Sequence, residues 1–433
     1  MKPADFQNTM ISRRSLLGAS ALLAGGTCLP RFALAAGTEL KWPNVTAMIE
    51  RYVSARKVPG MIAALGWGSA APLDIARGTE GTRDADPVGR DSLFRVYSMT
   101  KPVTGMAAMI LIDEGKLRLD QPIADLLPRF AWMQVQAVPD GSITDLVAAK
   151  TPITVRHLLT HTAGLGYQIV QKGPIKKAYD AAGIISGRVG RIPIPGLVTE
   201  TRLDSLEQFA DALAGLPLVY QPGTRWSYSV APDLLGRVIE VAAGQPFEAF
   251  LEDRIFGPCG MASSWFRVPA SEERRLTDNY AVLGDVIVPI DPAIKSVYLD
   301  PPPFAMGGAG LVSSPRDYDR FLTMLLGLGM IGGKRVMSEA AVLSGTSNLL
   351  PPGTITQGTM IAGAGFGAGG RVGIGVDAGT YGWGGAAGTI AFVNYRYGNR
   401  ASLYTQYMPS EAYPVHSEFP AAVVADLLAG ARP

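Results

Sequence analysis

The chain has 433 residues, 47% hydrophobic, 18% charged and 8% aromatic, a globular composition with enough length for a large core. Lys and Arg number 39 against 37 Asp and Glu; a formal charge of +2 offers no basic excess to neutralise phosphates, and nucleic-acid binding is not expected. Three His, at 157, 161 and 416, and two Cys, at 28 and 259, are too few for a multi-ligand metal cluster or a disulfide framework, so neither a metal nor another cofactor is expected.

At the N-terminus, Ser12-Arg13-Arg14-Ser15-Leu16-Leu17 precedes an apolar stretch rich in Ala, Leu and Gly, and then Ala33-Leu34-Ala35. An arginine pair, a short apolar region and an A-x-A site make up an export signal. The apolar run falls short of the ~20 residues that span a bilayer, and Gly18, Gly25 and Gly26 weaken it as a helix. Residues 1–35 resemble a twin-arginine signal peptide, which implies passage through the twin-arginine translocation machinery, cleavage near Ala35 and a periplasmic or secreted location. Gly26-Thr27-Cys28 departs from the small-residue pattern that precedes a lipidated Cys, and cleavage leaves Cys259 alone. Phe256-Gly257-Pro258-Cys259-Gly260-Met261 reads as a turn after a helix, with the Cys a small buried hydrophobe.

In chain order, a helix is expected over about Val45 to Arg56, then two hairpin strands at Gly60 to Trp67 and Pro72 to Ala76. Met106, Met109 and Ile110, with Asp113-Glu114-Gly115 as the stop, predict a long buried helix from Ser98. Further helices are expected at Thr154 to Leu159, Leu206 to Leu213, Pro232 to Ala242, Phe247 to Ile255 and Pro315 to Leu326. Near the end, Gly388 to Val393 and Ala401 to Thr405 read as antiparallel strands joined by Tyr397-Gly398-Asn399-Arg400, before a last helix from about Ala421 to Leu428. The fold class is therefore α/β (α+β), with an α/β part built from about 36–97 and 305–433 and a mainly helical part, about 98–304, inserted between. No element is assigned to the loops around 166–200 and 280–304.

Ser98-Met99-Thr100-Lys101 sets a Ser and a Lys three apart at the start of the long apolar helix, on one helical face. A Ser hydroxyl is a weak nucleophile until a base takes its proton, and a Lys in a dry cleft sheds its charge readily enough to be that base. The helix N-terminus adds positive dipole where an oxyanion would develop. Spacing alone does not single out this pair, because Ser54-Ala55-Arg56-Lys57 fits the same pattern at the solvent-facing end of the first helix. His157 and His161 have the i, i+4 spacing of a zinc helix, but Leu158 stands where the Glu base belongs and no third ligand follows. Gly307 to Gly310 lacks the Lys-Ser/Thr of a phosphate loop, and no G-x-S-x-G elbow is present.

Several ordered segments together resemble the serine β-lactamases and penicillin-binding proteins, and among them the family VIII carboxylesterases. They are Ser98-Met99-Thr100-Lys101, Thr154 to Leu165, Pro222-Gly223-Thr224-Arg225-Trp226-Ser227-Tyr228-Ser229, Gly308-Ala309-Gly310-Leu311 and Trp383-Gly384-Gly385. The resemblance implies a β-lactamase/transpeptidase-like fold, an antiparallel sheet flanked by helices. It also implies that Tyr228 supplies the Tyr of the Tyr-x-Asn motif, with Val230 in place of the Asn, and relays a proton between Ser98, Lys101 and the leaving group. Tyr397-Gly398-Asn399 matches that motif literally but sits in a hairpin turn without the preceding Pro-Gly-Thr. Trp383-Gly384-Gly385 stands where penicillin-recognising enzymes carry Lys-Thr-Gly; Trp383 cannot pair with a β-lactam carboxylate and better suits the acyl or alcohol part of a neutral ester. The backbone N–H groups of Ser98 and, by family position, Ala386 are the implied oxyanion hole, with Gly384 and Gly385 letting the strand approach substrate. The expected activity is hydrolysis of short-chain carboxylic esters, small-molecule substrates, through an acyl-enzyme on Ser98, with acyl transfer to other acceptors as a side activity. The rivals are a β-lactamase or D-alanyl-D-alanine peptidase, and a non-catalytic penicillin-binding-like sensor.

Overall fold

Apolar segments from the two ends of the chain pair with one another to make the main sheet. The computed structural model describes residues 41–82, 86–185, 187–192 and 200–431; the export-signal segment, residues 1–35, lies outside them. The strands are β1 (Gly60–Trp67), β2 (Leu73–Gly78), β3 (Gly365–Phe366), β4 (Arg371–Val372), β5 (Thr380–Gly384), β6 (Ile390–Asn394) and β7 (Asn399–Tyr404). Their order across the sheet is β3-β4-β5-β6-β7-β1-β2, every neighbour antiparallel. Ile62 stands opposite Tyr404, and Trp383 opposite Ala391.

Alternation along β1 sends its side chains to two cores. Met61, Ala63 and Leu65 pack with Val45, Ile49, Phe419 and Val423 from α1 (Pro43–Ser54) and the C-terminal helix Val415–Leu428, while Ile62 joins the large core on the opposite face. Both faces are covered, which is why β1 reads as a continuous apolar run. The two terminal helices are tied together because Asn44 and Val45 N–H groups, at the open N-terminus of α1, donate to the Asp426 carboxylate at 3.0 and 3.1 Å.

Against the other face pack α2 (Thr100–Asp113) and, with α3 (Leu206–Ala214) and α4 (Ala231–Ala243) stacked behind α2, α5 (Pro315–Leu326); α6 is the terminal helix. Every residue of α2 from Thr100 to Leu111 is buried, as an all-round apolar helix requires. Arg400 of β7 donates to Asp319 of α5 at 2.7 Å, a buried pair fastening that helix to the sheet. No helix among the described residues is long and apolar enough to cross a membrane.

One boundary differs from expectation, and one element was not foreseen. The last helix starts at Val415, not Ala421, and contains Pro420; Val415, Phe419 and Val423 form one buried stripe on α1 and the sheet, and that packing outweighs the lost N–H of one proline. Within the mainly helical middle segment, Asn279–Leu283 and Val286–Asp291 form an antiparallel ribbon where no element was assigned. Before the main sheet resumes at Gly365, α5 is followed by a two-stranded ribbon, Met330–Ile331 with Lys334–Arg335, and a short helix, Glu339–Gly345.

Candidate active site

The approach to Ser98 is a short strand, Phe94–Arg95, paired with Val312–Ser313, followed by a tight turn at Tyr97–Met99 that opens into α2. Arg95 is fully buried, donating from Nε to Asp291 Oδ2 at 2.6 Å and from Nη1 and Nη2 to the Thr277 carbonyl and Ser296 Oγ at 2.5 and 3.0 Å. It locks the ribbon and the turn after it beneath the strand. Tyr97 has φ +41, a left-handed backbone that costs a bulky residue ~1–3 kcal/mol. Its surroundings hold it there: Thr100 Oγ1 donates to the Tyr97 carbonyl at 2.6 Å and Asn279 Nδ2 donates to its phenol oxygen at 3.2 Å. The strained step projects Ser98 at the mouth of α2.

Lys101 Nζ lies 3.1 Å from Ser98 Oγ and donates to the Gly308 carbonyl at 2.6 Å. The phenol of Tyr228 donates to Ser98 Oγ at 2.7 Å. Lys101 is wholly buried, whereas Ser98 and Tyr228 keep 8% and 9% of their surface. Gly308 and Ser98 thus hold the Lys101 amine between them. The same Nζ lies 4.7 Å from the centroid of the Tyr228 ring.

Two stitched segments position Tyr228. The Ser227 N–H donates to the His161 carbonyl at 2.9 Å, the Ser229 N–H to His161 Nδ1 at 3.2 Å, and the Val230 N–H to the Gly166 carbonyl at 3.2 Å. Because Nδ1 accepts, the imidazole proton sits on Nε2. The His161 ring packs among Trp226, Tyr228 and Phe366, and burial, then the charge of Lys101, keeps it well below the usual imidazole range. His161 is a neutral brace. Trp383 Nε1 donates to the Tyr228 phenol oxygen at 3.1 Å, so the Trp expected only as a substrate wall also holds the phenol.

The strand β5 runs past Ser98 and turns at Gly385. A Cβ there would lie 2.3 Å from both the Val96 carbonyl and Thr389 Oγ1, so only glycine lets the turn approach the backbone two residues before Ser98. Ala386 and Ala387 then pack with Tyr97 and Ala309. A Cβ on Gly384 would instead meet His416, 3.0 Å from its Nε2, on the face opposite Trp383. His416 donates from Nε2 to the Thr389 carbonyl at 3.0 Å, and burial lowers its pKa.

Two residues in this cluster were not anticipated. Tyr167 packs edge-on to Tyr228 at 5.3 Å and lies 5.8 Å from Lys101 Nζ. Asp233, 3% exposed in the first turn of α4, accepts the Gly308 N–H at 2.8 Å. In sequence Asp233 reads as an ordinary acid complementing a helix N-terminus; its fixed distance of five residues from Tyr228 is the one signal that ties it to the site.

Residues 45–425 match the family described as Beta-lactamase. The chain belongs to the Beta-lactamase family. Protein Rv1367c of Mycobacterium tuberculosis is 38% identical over 265 residues, 60% of this chain and 61% of that protein. Esterase EstB of Burkholderia gladioli is 32% identical over 231 residues, 53% of each chain. The match therefore spans less than two thirds of these relatives. Among solved structures, EstCE1, described as a hydrolase with promiscuous acyltransferase activity, superimposes with a TM-score of 0.72 at 25% identity, over 90% of this chain and 100% of that one. Unliganded simvastatin synthase LovD of Aspergillus terreus, at 22% identity and a TM-score of 0.72 over 90% and 99% of the two chains, shares the fold. The β-lactamase/transpeptidase-like fold and the resemblance to family VIII esterases are thereby borne out.

Against this family frame the look-alike motifs fall away from the cluster. Ser54 and Lys57 are exposed at the end of α1, and the Lys57 ammonium rests over the Tyr52 and Tyr413 rings at 5.4 and 5.3 Å. Tyr397 to Asn399 cap the turn where Asn394 pairs with Asn399, at the sheet end opposite Gly384. His157 accepts the Thr154 N–H on Nδ1 at 3.2 Å, and Thr154 Oγ1 accepts the His157 N–H at 3.4 Å, a reciprocal helix cap. Cys259 is buried and its thiol is pushed up to about 12 by desolvation, the opposite of an activated nucleophile.

Proposed function

We propose that this protein is a serine hydrolase that cleaves short-chain carboxylic esters through an acyl-enzyme on Ser98, and that water or another small acceptor completes the turnover. The observation that carries the reading is the placement of Ser98 Oγ between Lys101 Nζ and Tyr228 OH, at 3.1 and 2.7 Å, with all three side chains buried. The Ser98 oxygen attacks the ester carbonyl as its proton passes to the Lys101 amine. The carbonyl π pair moves to oxygen, where the N–H groups of Ser98 and Ala386 receive it; losing one such donor costs ~10²–10³ in rate in other enzymes. Collapse breaks the bond to the alcohol, Tyr228 gives its phenol proton to the departing alkoxide, and Lys101 reprotonates Tyr228. Water then repeats the sequence on the acyl-enzyme, and an alcohol in its place gives acyl transfer.

A neutral ester is favoured over a β-lactam or a D-alanyl-D-alanine peptide by the side chains around the strand. Trp383 replaces the cation that would hold a carboxylate, the basic residue beside Gly384 is His416, kept neutral on the opposite face, and Val230 is buried where the family's Asn would stand. The intact hydrogen-bond chain argues against a non-catalytic sensor. Residues 1–35 support export by the twin-arginine route and action in the periplasm or outside the cell, which N-terminal sequencing of the secreted chain tests: a start at Ala36 or nearby supports it, and an intact Met1 contradicts it.

The activity is tested by assaying the purified chain on a p-nitrophenyl ester series and a chromogenic cephalosporin, with wild type and Ser98→Ala side by side. Ester turnover that needs Ser98, with little lactam turnover, is expected. Efficient lactam turnover would transfer the assignment to the β-lactamase or peptidase reading.

A further inference from the structure

Asp233 is a carboxylate buried within the catalytic core, with no place in the steps above. Its Oδ1 accepts the Gly308 N–H at 2.8 Å, and the carbonyl of the same residue accepts from Lys101 Nζ at 2.6 Å. Gly308 thus connects the acid to the amine. The contact has no room for a side chain, because a Cβ on Gly308 would sit 2.6 Å from Asp233 Oδ2. The Gly308 strip is itself pinned to α2, since Thr104 Oγ1 donates to the Gly307 carbonyl at 2.8 Å and the Leu311 N–H donates to Thr100 Oγ1 at 3.1 Å. The charge felt at this carboxylate is that of Lys101 from α2, while the phenol of Tyr167, from the segment after Gly164, is held protonated by burial and by the carboxylate itself.

We propose that Asp233 is a positioning residue for Lys101: it fixes the Gly308 carbonyl that orients the amine, and its negative charge balances the ammonium formed when Lys101 takes the Ser98 proton. The inference rests on the acylation chemistry proposed above. The proton leaves Ser98 Oγ for Lys101 Nζ as the new C–O bond forms, so a positive charge is created on a fully buried amine, where an unbalanced charge is costly. A carboxylate one residue away lowers that cost without itself taking the proton, the role an acid plays behind the base in other nucleophilic sites. Desolvation raises the Asp233 carboxyl to about 6, against the pull of Lys101 and the Gly308 N–H. Above that pH the balancing charge is present. Below it the acid is neutral and acylation slows.

The test measures the acylation rate of Ser98 by a p-nitrophenyl acetate burst and, separately, by a fluorophosphonate probe, across the pH range for wild type, Asp233→Asn and Asp233→Ala. Asp233→Asn preserves shape and the acceptor for Gly308 but not the charge. It is expected to acylate about 10- to 100-fold more slowly at neutral pH, as when an outer partner of a reactive group is removed, with KM nearly unchanged. It should also lose the acid limb near pH 6 that wild type shows; Asp233→Ala should be slower still. Wild-type rates and the wild-type pH profile in Asp233→Asn would overturn the proposal. So would a wild-type profile with no limb in this range, a readout that does not depend on the variants folding. If wild type hydrolyses no ester but reacts with the fluorophosphonate, the ester reading fails while the probe rates still decide the role of Asp233. A wild type unreactive to both overturns the two together.

Discussion

Replacing Trp383 with Phe separates two roles that one side chain holds. The indole packs 5.8 Å from Tyr228 and 5.3 Å from Phe366, and its Nε1 donates to the Tyr228 phenol at 3.1 Å. Phe keeps an aromatic wall but removes the donor. In the resting enzyme the lost bond is neutral and contributes ~0.5–1.5 kcal/mol, whereas in the transition state the phenol oxygen carries developing negative charge and the same bond contributes ~1.5–3 kcal/mol. Only the difference affects kcat. A difference of ~0.5–2 kcal/mol corresponds to a roughly 2- to 30-fold drop in kcat. KM for a p-nitrophenyl acetate substrate should change little, and Trp383→Ala should add a rise in KM that grows with acyl length as the wall is lost. Steady-state kinetics on acetate and butyrate esters give both parameters. A Phe variant with wild-type kcat and a raised KM would refute the reasoning, because the indole would then act on substrate alone.

Tyr228→Phe should lower kcat by ~10²–10⁴, the range of a general acid–base group, and undiminished turnover would remove the relay from the mechanism. Arg95→Met leaves Asp291 charged, buried and unpaired, and should destabilise the fold by ~3–5 kcal/mol in urea titrations; adding Asp291→Leu should recover much of the loss, and a single variant as stable as wild type would contradict the pairing. His157 is held at about 4 by burial, against an ordinary value of 6.5. Its folded pKa is the lower one, so the neutral ring stabilises the fold above pH 6.5, and this contribution, ~3 kcal/mol in the limit, is lost as the pH falls toward 4. The stability difference between wild type and His157→Gln should therefore shrink on acidification, and a constant difference would contradict it.

Much of the frame was legible because periodicity and burial speak the same language. The all-apolar α2, the opening hairpin and the last two strands, β6 and β7, read directly from their patterns, whereas β3, β4 and β5 lie in a Gly-rich stretch with no periodicity to mark them; the Ser98 and Lys101 pair needed only helical spacing to meet. The start of α6 was misplaced because Pro420 is a local stop signal, while the stripe of Val415, Phe419 and Val423 that overrides it is a tertiary fact. The ribbon at Asn279–Asp291 has its purpose only once Arg95 reaches Asp291 from nearly two hundred residues away. Asp233 was hidden for the same reason. An acid in the first turn of a helix is ordinary until Gly308 brings it to Lys101. The indole N–H of Trp383 was equally out of reach, since a strand aromatic carries no mark of which phenol it faces.

The most direct measurement is to quench ester turnover with acid in the first seconds and locate the acyl group by peptide mass mapping. The acyl mass should sit on the peptide bearing Ser98, be absent in Ser98→Ala, and leave the Ser54 peptide unmodified. An acyl group on any other residue, or steady turnover by Ser98→Ala, would contradict an acyl-enzyme at Ser98.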